Sequence, residues 1–179
     1  MTSTSLPSLA YAPDRDAGRG REISRAAGIG AVAGLAGGGA MVVSEKVEQL
    51  LTGRTDSFVP GRTLLALLGQ APAETRRDTG SAMVMHYASA AAVGAVRGVW
   101  AATGIRGAHA DVWHTILRLG VDQTLENASG AGAPPTSWPV RERLVDTGHK
   151  LVYSVVTGVL ADLVIRPTLA PRMRHPDAG

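Results

Sequence analysis

The stretch GIGAVAGLAGGGAMVV, residues 28–43, contains six glycines and no charged side chain. Glycines in the order G-x-G-x-x-G/A bind a dinucleotide when they follow a strand, open a helix and precede an acid by about 20 residues. Gly28, Gly30 and Ala33 have that spacing, but the preceding REISRAA has no run of β-branched residues. The following SEKVEQLL has helical rather than strand periodicity. The sequence therefore disfavours a nucleotide-binding loop.

The same glycines suit a helix in lipid. Gly30, Gly34 and Gly38 recur every four residues on one helix face, and small residues at that spacing let two lipid-embedded helices approach closely. Residues 26–44 form a run of 19 uncharged residues, close to the roughly 20 that cross a bilayer core. In a soluble helix each glycine would cost about 1 kcal/mol relative to alanine. We therefore predict a membrane-spanning helix here.

Two later segments, SAMVMHYASAAAVGAVRGVWAATGI and HKLVYSVVTGVLADLVI, repeat the spacing of four. The predicted helix-packing glycines of all three segments are Gly30, Gly34, Gly38, Gly94, Gly98 and Gly158. The sequence therefore predicts an all-α fold, a compact bundle of about four transmembrane helices with glycine-striped packing faces. The alternative is a soluble, alanine-rich helical bundle.

The segment GAHADVWHTILRLGVDQTLENASG is helical by pattern but far less apolar. Its polar side chains follow one another at spacings of 3, 4, 4 and 4, so they form one stripe along a helix. They are Asp111, His114, Arg118, Asp122 and Glu126. The stripe either faces the interior of a bundle, where intramembrane charges pair, or lies at the membrane surface. Because it mixes both signs of charge, we favour the interior.

We expect three regions along the chain: a disordered polar N-terminal tail over 1–25, a helical membrane domain over 26–166 and a basic C-terminal tail over 167–179. Within the domain, residues 52–69 are predicted to form a loop, a turn at Pro60-Gly61 and a short amphipathic helix. The net charge of +3 is too weak to predict nucleic-acid binding, and the absence of cysteine excludes disulfides and thiolate nucleophiles.

Arginines before the first predicted helix and after the last favour cytoplasmic positions for both ends. That arrangement requires an even number of crossings and hence four. Residues 45–80 weigh against it, because this connection carries one lysine and four arginines and would lie outside. The topology therefore stays open.

Ionisable groups inside membrane helices cost about 3 kcal/mol each to insert, so they are functional candidates by default. The candidate acid–base residues are His114, Asp122, Glu126 and His149. The predicted polar network contains His86, Arg97, Asp111, Arg118, Tyr153 and Asp162. Alternatively, Arg97 could reach the interface along its own stem, and Asp162 could pair with Arg166, four residues further on. A hydrogen-bonded network that sets helix register is the simplest interpretation of these groups.

Metal ligands are present in sufficient number, but nothing in their spacing organises them into a site. His114 lies three residues after Asp111, and His86 or His149 would have to complete the set. We therefore predict no metal and no cofactor. The tripeptide Asn127-Ala128-Ser129 matches a glycosylation sequon, which makes Asn127 a candidate modification site.

Four stretches within residues 26–166 resemble small, uncharacterised multi-pass membrane proteins of bacteria and fungi. They are SEKVEQLLTGRTDSFVPGRTL, MHYASAAAVGAVRG, RLGVDQTLENASGAGAPPTSWP and HKLVYSVVTGVLADLVI. The glycine-rich helices are also loosely similar to the YagU-like inner-membrane family. The resemblance implies membrane residence and about four helices, and it carries over no activity and no site residue.

The leading hypothesis is an integral membrane protein of unassigned biochemical role, with a polar network inside a small helical bundle. One alternative is a membrane-embedded enzyme, of isomerase or cyclase type, acting on a hydrophobic substrate; it requires a cavity where His114 meets Asp122 or His149. Another is a transporter or channel subunit, which requires a continuous polar path. The expected partners are the lipid bilayer and a second copy bound through the glycine faces, with no nucleic acid.

Overall fold

The computed structural model describes residues 13–71 and 77–170, and over these residues the chain is all-helical, with no strand. The five α-helices are α1 (Pro13–Thr52), α2 (Val59–Leu67), α3 (Thr79–Thr103), α4 (Gly107–Ala128) and α5 (Val140–Val164), and a short 3-10 helix (Pro135–Ser137) precedes α5. The predicted all-α fold is confirmed.

Helix α1 is much longer than the sequence predicts. Its 40 residues span about 60 Å, twice the thickness of a bilayer core. It begins at Pro13 rather than near residue 26, so residues 13–25 are helical and not a disordered tail. Proline suits the first helical turn because its fixed φ is already helical and its missing N–H needs no partner. Residues 1–12 and 171–179, which hold the remainder of the predicted tails, lie outside the described residues.

Helices α1 and α3 run antiparallel and touch through their backbones. A Cβ added at Gly94 would lie 2.5 Å from the Gly30 carbonyl oxygen and 2.6 Å from the Gly34 Cα. A Cβ at Gly98 would lie 2.8 Å from the Gly30 Cα. Real Cβ atoms essentially never come within 3.0 Å of such atoms. Glycine at these four positions is therefore a steric requirement of the helix contact.

The other two glycines of the predicted packing faces have different surroundings. A Cβ at Gly38 would lie 3.1 Å from the Ala90 Cβ, a tight contact between side-chain atoms rather than between backbones. A Cβ at Gly158 would overlap the Asp111 carboxylate and lie 3.0 Å from Arg97 Nη2. Gly158 thus makes room for an ion pair, not for a second helix backbone.

Helix α2 corrects the prediction of a turn at Pro60-Gly61. Both residues lie in the first turn of the helix, where proline is tolerated, and the chain turns before them instead. Gly61 packs closely on α3, since a Cβ there would lie 2.9 Å from the Ala82 nitrogen. The short helix is therefore fixed to the beginning of α3.

The N-terminal part of α1 and the residues after α5 meet at one end of the bundle. The Thr168 hydroxyl donates to Glu22 Oε2 at 3.3 Å, and the Leu169 N–H donates to the Ala102 carbonyl at 2.9 Å. We call this the terminal end. The opposite end, with the connections 53–58 and 129–139, is the loop end. Because α1, α3, α4 and α5 alternate in direction, each runs from one end to the other.

Among the described residues, α1 is the one helix that is both long enough and apolar enough to cross a membrane. Length and composition alone therefore make α1 a candidate span and do not support the predicted four crossings. Length and composition count every charged residue of a helix in the same way, whether its side chain faces the surroundings or the interior of the bundle.

A pair of glycine-to-alanine variants tests the contact between α1 and α3. We expect Gly94→Ala to destabilise the bundle by about 1–3 kcal/mol, because the new methyl group meets backbone atoms that cannot move aside. Gly28→Ala is the matched control, since its Cβ would meet nothing within 4 Å and alanine favours a helix by about 1 kcal/mol. Thermal unfolding of the purified variants measures both. Equal effects at the two positions would contradict the steric account.

Candidate functional site

Buried and half-buried polar side chains of α3, α4 and α5 face one another along the bundle. We call this set the polar column; it contains Arg97, Asp111, His114, Arg118, Asp122, Asp146, Lys150, Tyr153 and Asp162. On α4 it extends from Asp111 to Asp122, a rise of about 16 Å. The polar stripe of α4 therefore faces the interior, and the helix does not present it to the surroundings.

Arg97 organises the part of the column nearest the terminal end. Its guanidinium is completely buried and donates to both carboxylate oxygens of Asp162, at 3.0 and 2.9 Å. It also donates to Asp111 Oδ1 at 3.2 Å. The two acids come from α5 and α4, so one side chain of α3 connects three helices. Both alternatives considered from the sequence are therefore wrong. Arg97 is buried rather than directed towards an interface, and Asp162 pairs with Arg97 rather than with Arg166.

A second arginine, Arg106, caps the C-terminus of α5. Arg106 Nη1 donates to the Ile165 carbonyl at 2.6 Å, and Nη2 donates to the Asp162 carbonyl. A cation at this position also complements the negative end of the helix dipole. The Gly107 N–H donates to Asp162 Oδ2 at 2.9 Å, which fixes the same carboxylate to the first residue of α4.

Two aromatic rings form the middle of the column. His114 and Tyr153 stack with ring centroids 5.2 Å apart and planes 27° from parallel. The Tyr153 hydroxyl donates to the Ala90 carbonyl at 2.8 Å, and His114 Nε2 lies 3.2 Å from the Val93 carbonyl. A carbonyl only accepts, so this His114 nitrogen carries the hydrogen. Both rings therefore bind α4 and α5 to backbone oxygens of α3.

Towards the loop end the column continues with alternating charges. The Arg118 guanidinium lies 4.9 Å from the centre of the Tyr153 ring and donates to Asp122 at 3.0 Å. Lys150 Nζ lies 3.6 Å from the same Asp122 carboxylate and 2.5 Å from Asp146. The positive charges of Arg118 and Lys150 thus balance the negative charges of Asp122 and Asp146 in this part of the column.

His86, His149 and Glu126 lie outside these contacts. His86 Nε2 lies 3.1 Å from the Gly38 carbonyl of α1. His149 faces α1, with Nδ1 2.8 Å from the Ser44 hydroxyl and Nε2 3.9 Å from a Glu48 oxygen. The half-buried Glu126 sits beside Gly132, where an added Cβ would lie 2.9 Å from the Glu126 Cβ.

The candidate acid–base residues therefore do not converge on one pocket. One cavity of about 600 Å³ lies at the loop end, and one of about 160 Å³ lies at the terminal end. Neither is lined by His114, Asp122, Glu126 or His149. Within residues 13–71 and 77–170, no group of three histidines or acids is placed to hold a metal. Asn127, the sequon residue, is exposed in the last turn of α4.

Asp146, Lys150 and Arg106 were not predicted from the sequence. Asp146 and Lys150 lie on the same face of α5 as Gly158 and Asp162, because these positions are separated by multiples of four residues. Extending that face towards the N-terminus of the helix would have found them. No comparable pattern singles out Arg106, which lies in the turn between α3 and α4.

No family model, curated protein or solved structure matches this chain. The resemblance to YagU-like and related small membrane proteins therefore stays a prediction.

Replacing Arg97 tests whether the column holds the bundle together. We expect Arg97→Gln to lower the free energy of unfolding by about 3–5 kcal/mol, because it leaves the Asp162 and Asp111 carboxylates without their buried cation. Arg141→Gln removes an exposed arginine from α5 and should change stability by less than about 0.5 kcal/mol. Denaturant unfolding of both variants gives the comparison. A small loss for Arg97→Gln would show that the ion pairs are dispensable.

Proposed function

We propose that this chain is a multi-pass integral membrane protein in which α1, α3, α4 and α5 cross the bilayer. The polar column then acts as the internal scaffold that sets how these helices pack. The observation that carries the proposal is an inverted distribution of polarity, with charges inside the bundle and apolar side chains outside.

The charged residues of α3, α4 and the 144–164 part of α5 support this inversion. There are eight of them, and each is buried or half-buried: Arg97, Asp111, Arg118, Asp122, Glu126, Asp146, Lys150 and Asp162. A soluble bundle places most of its charges on the outside, because a charge is stabilised by water. Charges that all face inward are typical of helices surrounded by lipid.

The outer faces of the same helices are apolar. Large exposed hydrophobic side chains include Val96, Val112, Trp113, Ile116, Val155, Val159 and Leu163. Exposed apolar surface on neighbouring helices is typical of a site that contacts another protein or a membrane. Lipid tails would cover them without cost.

The interior charges also explain why composition alone does not support four crossings. Each ionised group adds about 3 kcal/mol to the insertion of an isolated helix, and α4 alone carries four. In the bundle the Arg97–Asp162 pair and the Asp122–Lys150 contact offset part of that cost. We infer that α3, α4 and α5 insert together with α1 rather than one at a time. Four crossings also agree with the shared position of Glu22 and Thr168 at the terminal end.

The contacts of the column support a structural role more than catalysis or transport. Arg97, Arg118 and Lys150 each have a carboxylate partner, and the His114 and Tyr153 rings contact helix carbonyls. Transport is the second candidate, because the column is continuous over about 16 Å of α4. The enzyme hypothesis needs a pocket beside its candidate residues, and the two described cavities lie elsewhere.

An oligomer through the glycine faces stays a prediction. Gly30, Gly34, Gly94 and Gly98 already contact one another within one chain. A second copy would therefore have to bind through other surfaces of the bundle.

Cysteine labelling tests the proposed topology. The chain has no cysteine of its own, so each label reports only the introduced position. Single-cysteine variants at Ser57 and Ser137 report the loop end, and variants at Ile105 and Thr168 report the terminal end. In sealed vesicles of one orientation, we expect a membrane-impermeant maleimide to label one pair only, and the other pair after the vesicles are opened. Val155→Cys, on the proposed lipid face, should stay unlabelled in both cases.

Labelling of both pairs in sealed vesicles would contradict four crossings. Release of the wild-type chain by an alkaline carbonate wash would contradict integral insertion altogether.

A further inference from the structure

The last three turns of α1 contact the bundle mainly through polar side chains. Met41 is the last buried residue of this helix, and between it and the end of α1 at Thr52 no residue is buried. The half-buried residues of this segment are Val42, Ser44, Glu45, Glu48 and Gln49. Residues 42–52, a rise of about 16 Å, are therefore the part of α1 that apolar packing fixes least.

His149 of α5 lies against this segment and is only 6% exposed. Its Nδ1 lies 2.8 Å from the Ser44 hydroxyl, and its Nε2 lies 3.9 Å from Glu48 Oε2. The second distance suits an ion pair but is too long for a hydrogen bond. Among the residues that the structure describes, the buried Nε2 has no hydrogen-bond partner. One ring nitrogen is thus satisfied, and the other faces a carboxylate across a short gap.

The Glu48 carboxylate is held in position beside the ring. The Thr52 hydroxyl donates to Glu48 Oε1 at 2.8 Å, and Arg54 Nε donates to Oε2 at 2.9 Å. An ionised carboxylate has about four acceptor sites, so Oε2 can accept a further hydrogen bond. Glu48 is therefore an oriented acceptor for a donor on His149.

The neutral imidazole cannot satisfy both of its nitrogens in this position. If the hydrogen is on Nε2, it has no acceptor within hydrogen-bond distance, and if it is on Nδ1, the Nε2 lone pair faces a carboxylate. The protonated ring carries a hydrogen on both nitrogens. Nδ1 then donates to Ser44, and Nε2 donates a charge-assisted hydrogen bond to Glu48 once the gap closes to about 3 Å.

The acids of α1 favour the protonated ring. Glu45 and Glu48 both interact electrostatically with His149. On α5 itself the neighbouring cation is Lys150, and its Nζ lies 2.5 Å from Asp146 Oδ1. The positive charge beside His149 is therefore already paired with an acid, whereas the two glutamates add negative charge on the other side.

The titratable groups of α4 and α3 have other partners. Asp122 of α4 lies 3.6 Å from Lys150 Nζ, and Glu126 interacts electrostatically with the same lysine. His86 of α3 contacts a backbone carbonyl of α1 through Nε2. These groups therefore face Lys150 or the backbone of α1, and Glu48 is the acceptor that His149 faces.

We propose that His149 is a proton-binding site that holds the last turns of α1 against α5. Because the contact with Glu48 favours the protonated ring, proton binding favours the contact in turn. Histidine side chains ordinarily change charge between about pH 5 and 8. The contact therefore strengthens as the pH falls through this range, and as the pH rises it is reduced to the hydrogen bond with Ser44. The proposal concerns two helices of one chain and does not depend on what surrounds the bundle.

Backbone hydrogen exchange of the full chain in a neutral detergent tests the proposal. The quantity measured is the protection of residues 45–52 at pH 5.5 and pH 8, corrected for the intrinsic exchange rate. We expect protection to be at least about fivefold greater at pH 5.5, a factor typical of one polar contact. Glu48→Gln and His149→Gln should each reduce this difference to less than about twofold. Residues 26–41, which pack closely on α3, should show no difference.

Arg54→Gln and His109→Gln are the matched controls. The first removes the other cation that contacts Glu48 and leaves His149 in place, and the second removes an exposed histidine of α4. Both variants should keep the pH dependence of the wild type. Its loss in Arg54→Gln would assign the effect to the pair of Arg54 and Glu48 and would overturn the proposal.

Nitrogen NMR of the His149 ring gives a second measurement, which does not require the His149 variant to fold. We expect a hydrogen on both ring nitrogens at pH 5.5 and on one of them at pH 8. Glu48→Gln should weaken proton binding at least about threefold, because the nearby negative charge is lost. A ring that stays neutral at pH 5.5, or equal protection of residues 45–52 at both pH values, would overturn the proposed site.

Discussion

The ion pairs of Arg97 are the interaction on which the rest of the bundle depends. A fully buried guanidinium without partners would be unstable by several kcal/mol, whatever surrounds the bundle. Its partners, Asp162 and Asp111, belong to two different helices, so the charge is satisfied only when α3, α4 and α5 are correctly assembled. Gly158 permits this assembly, because any side chain there would occupy the space of the Asp111 carboxylate. One buried charge therefore specifies the relative positions of three helices.

Helix α3 combines this polar contact with the closest backbone contact of the fold. One of its faces presents Gly94 and Gly98 to α1, and Arg97, between them in sequence, points towards α4 and α5. Apolar burial drives helices together in water, but it contributes little between helices in lipid. Close backbone packing and interhelical polar contacts remain, and this bundle uses both. The apolar side chains are left for the outside, which is the inversion that favours membrane residence.

The sequence predicted those features of the bundle that depend on periodicity within one helix. The spacing of Gly30 and Gly34 indicated a packing face on α1, and the polar stripe of α4 indicated an interior face. Neither pattern identifies the partner of a side chain. Asp162 pairs with Arg97, 65 residues away, rather than with Arg166, four residues away, because only the tertiary fold brings the distant cation closer.

The same limit applies to the candidate site. His114 and His149 have the chemistry of acid–base groups, but they face different helices, α3 and α1, which a single sequence does not reveal. The prediction of a turn at Pro60-Gly61 was wrong. Both residues lie in the first turn of α2, where proline and glycine are tolerated, and the helix packs against α3. The loop-end cavity was not predicted, because its lining includes residues from the end of α1, the 53–58 connection and α2, which are separate elements.

The central claim is that the outer faces of α4 and α5 lie in lipid while the column does not. The most direct measurement is the accessibility of single spin labels in reconstituted bilayers, at Val112, Ile116, Val155 and Val159. We predict high accessibility to oxygen, which partitions into lipid, and low accessibility to a water-soluble nickel complex at all four positions. A label at exposed Thr136, at the loop end, should show the reverse and serves as the control. High accessibility to the nickel complex at the four helix positions would contradict the account, because those faces would then be in water.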